Sequence, residues 1–119
     1  MSYDPNNIFA RIIRGEIPCK KVYESAHVLA FHDIRPQAPV HVLVIPKKHI
    51  ASLVETTAAD AGVLGRMLAL SGRLASEQGA RDGFRTIINS GRVGCQDVMH
   101  LHIHILGGPE PLGRMLPRH

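Results

Sequence analysis

The segment His100-Leu101-His102-Ile103-His104, followed by Ile105 and Leu106, alternates polar and apolar residues without a break. A period of two is that of a β-strand and fits no helix. Strand geometry sends Leu101, Ile103 and Ile105 to one face and His100, His102 and His104 to the other. The apolar face belongs in a core. The imidazole face is poor packing material, because each ring carries two nitrogens that need partners away from water. It suits chemistry near neutral pH, where imidazole serves as nucleophile, base or acid. The spacing predicts a strand over Met99 to Leu106 with its function on one side.

Composition narrows the setting. The 119 residues are 45% hydrophobic and 20% charged, as in an ordinary soluble globular protein, and suffice for a single domain over 1–119. A formal charge of +4 suits an anionic ligand but is too small to indicate a nucleic-acid surface. Cys19 and Cys95 lack the paired spacing of a zinc knuckle or redox motif and read as free thiols of a reducing cytosol. The polar stretch Met1 to Asn7 does not resemble a signal peptide, and no apolar run could span a bilayer. The expected location is cytoplasmic, away from membranes.

Periodicity and turn residues predict the remaining elements. Ile8, Phe9, Ile12 and Ile13 recur at helical spacing, with Asn6 or Asn7 as cap and Gly15 as stop. Lys21 to Glu24 and His27 to Ile34 read as a hairpin, and Val40 to Ile45 as a third strand bounded by Pro39 and Pro46. Thr57-Ala58-Ala59-Asp60 resembles a capping box. It opens a long helix with the stripe Val63, Leu64, Met67, Leu68, Ser71, Leu74 and Ala75, reaching about Gln78 before Gly79. Gly62, Gly65 and Gly72 weaken that helix by about 1 kcal/mol each, which packing of the stripe must offset. Phe84 to Ser90 is a fourth strand. The expected fold is α+β: a five-stranded, mostly antiparallel sheet with a short N-terminal helix and one long helix. The loop Gly91 to Val98, rich in glycine, ends directly before the histidines and could bring N–H groups to an anion.

Three readings of the histidine row compete. The rings could be structural, satisfied within a half-buried face. They could bind metal: a His-x-His pair, with Cβ atoms about 7 Å apart, can share one zinc. His100 and His104, however, lie about 13 Å apart along a strand, so a third ligand such as His41 or Asp97 would be needed. The third reading is metal-free nucleophilic catalysis at a phosphorus or acyl centre, with one neutral imidazole attacking while its neighbours stabilise developing charge.

The row also matches the histidine triad signature, and the match extends outward. Phe31-His32-Asp33-Ile34-Arg35-Pro36-Gln37-Ala38-Pro39-Val40-His41 and Val42 to Ile50, through Pro46-Lys47-Lys48-His49, resemble the histidine triad nucleotide-binding (Hint) branch of the HIT superfamily. Gly107-Gly108 and Pro111-Leu112-Gly113 resemble the tail of its bacterial members. The resemblance implies a HIT-like domain and a purine nucleoside phosphoramidase that needs no metal or other cofactor.

Residue by residue, the resemblance makes His102 the nucleophile, His104 a phosphate contact, and His100 and His41 supports. Asp33 matches the ribose-binding carboxylate. Ile34, Phe31, Ile8, Phe9 and Ile12 map to the apolar pocket around the purine, and Asn89 to a contact of the phosphate or leaving group. In the phosphate loop this chain carries Cys95-Gln96-Asp97 where a Gly-Gln-Ser run is common in animal relatives. Cys95 would be less free than glycine to adopt positive φ. Asp97, an acceptor only when ionised, would favour a basic amine as leaving group. Lys47 and Lys48 read as a solvated turn. The implied partners are a purine nucleotide substrate (AMP or GMP phosphoramidates, or acyl adenylates) and a second copy of the chain, with the tail Pro109 to His119 reaching the partner's site. A nucleotide-responsive interaction module and a metal-binding histidine protein are the alternatives.

Overall fold

Turn residues and apolar alternation divide the described residues into five strands and two α-helices. In the computed structural model these are α1 (Ile8–Ile13), β1 (Lys21–Glu24), β2 (Val28–His32), β3 (Val40–Pro46), α2 (Ala61–Glu77), β4 (Phe84–Ile87) and β5 (Ile103–Gly107). The structure describes residues 3–116. Met1 and Ser2 of the polar N-terminal stretch, and residues 117–119 of the tail, lie outside the described residues.

Both helices start and stop as their end residues dictate. The side chain of Asn7 caps α1 by accepting from the Ala10 N–H at 2.9 Å. Gly15, at φ +80°, closes it, with Glu16 N–H bonded back to Arg11 O. Thr57 and Asp60 form the reciprocal capping box ahead of α2 across one 3-10 turn, Ala58–Asp60. Gly79 at φ +104° ends α2, with Ala80 N–H on Ala75 O. Met67, Ser71, Leu74 and Ala75 are buried as the stripe requires, whereas Leu68 is half exposed and does not belong to it. Nothing approaches Gly62 or Gly65, so close packing does not explain them; burial of the stripe offsets their cost.

The five strands form one sheet in the order β1-β2-β3-β5-β4, every neighbouring pair antiparallel. Its interior is covered on both faces, which is why β3 is buried along its whole length. On one face Val28, Ala30, Val42, Val44, Leu101, Ile103 and Ile105 pack with Met67, Leu74 and Ala75 of α2. On the other, Leu29, Phe31, Leu43 and Ile45 pack with Phe9 of α1. The histidines share this second face, since Leu43 pairs directly with His104.

Three strands are shorter than periodicity predicts. β2 begins at Val28 and ends at His32, and β4 stops at Ile87. β5 begins only at Ile103, not at Met99. Continuing its register from the Val44–Ile103 pair would bring the preceding residues opposite Ile45 and Pro46. Pro46 has no N–H to donate, and its carbonyl is taken by the ring of His100. The segment His100 to His102 therefore keeps the alternation of a strand without its ladder.

Candidate active site

Hydrogen-bond polarity assigns each imidazole a tautomer, because a carbonyl can only accept and a backbone N–H can only donate. His102 Nδ1 lies 2.8 Å from the main-chain oxygen of His100 and so carries the hydrogen. Its Nε2 is then left with a free lone pair. Burial pushes the ring below its ordinary pKa, partly offset by that hydrogen bond and by Asp97 and Asp33. His102 is accordingly neutral at pH 7. Phe9 meets it edge-on, with ring centres 5.0 Å apart.

A second chain of bonds runs through His41. Gln37 N–H donates to His41 Nδ1 at 3.0 Å, which puts the His41 hydrogen on Nε2. His41 Nε2 donates to His104 Nδ1 at 3.0 Å, and the Asp33 carboxylate lies 3.4 Å from the same nitrogen. His104 must then bear its hydrogen on Nε2, where it is available to a ligand oxygen. Burial and repulsion from His102 and His41 push its pKa down to about 4, so it donates as a neutral ring. The His102 and His104 rings are 5.0 Å apart, close enough to act on one group.

His100 is fully buried and clamped at both nitrogens. Nε2 donates to Pro46 O at 2.7 Å, and Tyr3 Oη donates to Nδ1 at 2.5 Å. Burial drives its pKa to about 4. It meets the site only through its carbonyl.

Ligand atoms of Asp33, His41 and His104 lie within 4.8 Å of one another, a spacing that could hold a metal ion. The donor set does not fit one. With Gln37 N–H on Nδ1, His41 cannot offer a bare Nε2 without losing that bond or its own proton. His41 instead donates its hydrogen to His104, with the Asp33 carboxylate as a charged neighbour.

The loop before β5 is tightly braced. Gln96 Oε1 accepts from Gly91 N–H, and its Nε2 donates to Ala51 O and Val98 O. Both ends of this side chain are engaged, tying the loop to itself and to Ala51, so Gln96 shapes the loop without offering its amide to a substrate. Asn89 Nδ2 donates to Gly94 O at 2.8 Å. A Cβ on Gly94 would sit 2.5 Å from Ser90 O, so only glycine fits there. Cys95 adopts φ +59°, contrary to the expected restriction, and is the one non-glycine at positive φ among the described residues. The N–H groups of Gly91, Cys95 and Gln96 are taken up inside the loop, which narrows the predicted anion cradle. Asp97 is exposed and lines a cleft of about 390 Å³ with Tyr3, Asp4, Asn7 and Ile8.

The five apolar residues assigned to a purine pocket differ in setting. Phe9 and Phe31 are buried core, edge-on at 5.7 Å. Ile12 packs against the same cluster. Ile8 faces the Asp97 cleft, and Ile34, 85% exposed, borders a separate cleft of about 740 Å³ with His32, Asp33 and His41. Lys47 and Lys48 pair with Glu24 and Asp60. Both cysteines are free thiols. Sequence reasoning missed Tyr3, Gln37, Pro46 and His49. The one available signal was that a buried His100 must find partners for two ring nitrogens.

A five-stranded antiparallel sheet carrying a neutral imidazole row beside a braced loop defines a histidine-triad protein. The HIT domain family model matches residues 14–110, and the chain belongs to that family. It is 47% identical over 110 residues to the purine nucleoside phosphoramidase of Escherichia coli, covering 92% of each chain. An uncharacterized HIT-like protein of Synechococcus elongatus is 52% identical over 103 residues, 87% of this chain and 90% of its own. Among solved structures, a HIT family hydrolase from Legionella pneumophila superposes with a TM-score of 0.84 at 43% identity, over 88% of this chain and 95% of that one. A histidine triad protein from Clostridium difficile gives 0.82 at 41%, over 99% of each. No helix among the described residues is long and apolar enough to cross a membrane.

Proposed function

We propose that this protein is a purine nucleoside phosphoramidase in which His102 is the covalent nucleophile and no metal takes part. The observation that carries the reading is the His102 tautomer: Nδ1–H is held by the His100 carbonyl, and the neutral ring presents Nε2. Nε2 attacks the α-phosphorus of an adenosine or guanosine phosphoramidate and forms an N–P bond. The substrate's P–N bond breaks, and the amine leaves with a proton from a water molecule, whose hydroxide takes up the proton released in the second step. A water molecule then cleaves the nucleotidyl-histidine to nucleoside monophosphate and restores His102.

His104 Nε2–H donates to a phosphate oxygen as negative charge builds in the transition state, and the Gln37–His41–His104 relay fixes that donor. Asp33 accepts from the ribose diol; its Oδ1 already holds Arg35 N–H at 2.8 Å, which sets the carboxylate's direction. Asn89 and the 91–98 loop border the phosphate. Likeness to the E. coli phosphoramidase over most of both chains supports the substrate class. The protein works in the cytoplasm as a homodimer, with the segment Pro109 to Leu116 near the partner's site.

Steady-state assay of an adenosine 5′-phosphoramidate tests the reading, in the presence of a chelator. AMP and free amine should appear in equal amounts, and His102→Ala should abolish turnover while AMP still binds. Activity lost to chelator and restored by zinc would overturn the metal-free mechanism. Undiminished turnover by His102→Ala would remove the nucleophile.

A further inference from the structure

We infer that Tyr3 is a positioning residue for the nucleophile, acting through His100. The carbonyl that fixes the His102 tautomer belongs to a residue outside the β5 ladder, so sheet hydrogen bonds do not hold it. What holds it is the His100 ring, clamped between Pro46 O at 2.7 Å and Tyr3 Oη at 2.5 Å, together with the single bond from Leu101 N–H to Ile50 O. The Pro46 end is main chain of a central strand and is rigid. Tyr3 supplies the other end across 97 residues of sequence.

The hydroxyl is itself held in place. The Tyr3 ring stacks on His49, with centres 4.4 Å apart and planes 14° from parallel, and meets His100 edge-on at 5.6 Å. His100 Nδ1 is buried and has no other described partner. Tyr3 therefore satisfies the one ring atom whose loss of a partner would free His100 to turn. With the ring unclamped, only the Leu101 N–H bond restrains the 100–101 peptide, so the carbonyl drifts from His102 Nδ1 and the nucleophile samples the wrong tautomer. Tyr3 thus sets how often His102 presents Nε2, acting through the His100 ring. This role rests on His102 being the nucleophile.

Tyr3→Phe tests it, because phenylalanine keeps the stack on His49 and removes only the hydroxyl. Two readouts are needed: steady-state kinetics with an adenosine phosphoramidate, and long-range 1H–15N correlation spectra of the imidazoles at pH 7. Wild type should show His100 protonated on Nε2 and His102 on Nδ1. In Tyr3→Phe the His102 signals should divide between tautomers. Its kcat should fall about tenfold, the equivalent of one ordinary hydrogen bond, with KM within about twofold. An unchanged kcat would overturn the role, as would unchanged ring signals, whether or not the thermal midpoint drops. If wild type itself lacks phosphoramidase activity, the phosphoramidase reading fails, and the ring spectra alone decide whether Tyr3 positions His102.

Discussion

His102 donates through Nδ1 to the backbone oxygen of His100, the residue two positions before it in the same row. One histidine of the row thus sets the tautomer of the next with its main chain, while its own ring is occupied elsewhere. Three rings of identical chemistry acquire two tautomers and three roles from their neighbours: His102 offers a lone pair, His104 a hydrogen, and His100 neither.

Acid should weaken both activity and stability, each with a definite sign. The His100 and His104 pKa values fall from an ordinary 6.5 to about 4, and those of His102 and His41 are also lowered. The unfolded chain therefore binds more protons between about pH 6.5 and 4, and stability is lost as pH drops through that window. Urea unfolding at pH 7, 6 and 5 should give steadily lower midpoints. The acid limb of kcat/KM should lie below pH 6.5. A limb at or above 6.5, or a flat midpoint series, would contradict this.

Cys95→Gly should stabilise the protein. The left-handed backbone at φ +59° costs an ordinary side chain about 1–2 kcal/mol, part of which the greater unfolded-state freedom of glycine returns. A net gain of about 0.5–1 kcal/mol in urea unfolding is expected. A lower midpoint would show that the Cys95 side chain contributes more than its backbone strain removes.

Gln96→Ala should disturb the site without touching substrate. It removes three hydrogen bonds that tie Gly91, Ala51 and Val98 together. The loss should destabilise by about 1–3 kcal/mol. It should also lower kcat/KM at least about tenfold through misplacement of the loop. Retained kcat/KM in the folded variant would mean the loop keeps its shape without the brace.

Asp97→Ser should alter leaving-group choice. Asp97 and Asp4 line the same cleft, so an ammonium-bearing amine there meets two carboxylates. The ratio of kcat/KM for a lysyl phosphoramidate to that for a neutral amine should fall about two- to fivefold, the range of one exposed charge pair. An unchanged ratio would reject the preference.

Much of this was legible in the sequence because it depends on local chemistry. Asn7, Gly15, the Thr57–Asp60 box and Gly79 mark the helix ends where they fall. Alternation identifies the sheet and separates Leu101, Ile103 and Ile105 from the histidines. What was not legible depends on partners distant in the chain. Pro46 ends the ladder before His102, and Tyr3 fixes a ring nitrogen from 97 residues away, while Gln37 acts on His41 through a backbone N–H that its residue type does not reveal. The same limit explains Phe31 and Ile34. Apolar character alone could not tell a buried core ring from an exposed rim residue.

The central claim is that His102 Nε2 becomes covalently bound to the nucleotide. Rapid-quench mass spectrometry within the first turnover of an adenosine phosphoramidate tests it most directly. The mechanism predicts an AMP adduct on the peptide containing His102, absent from His102→Ala. Full turnover with no adduct at any quench time, or an adduct on His104 instead, would contradict it.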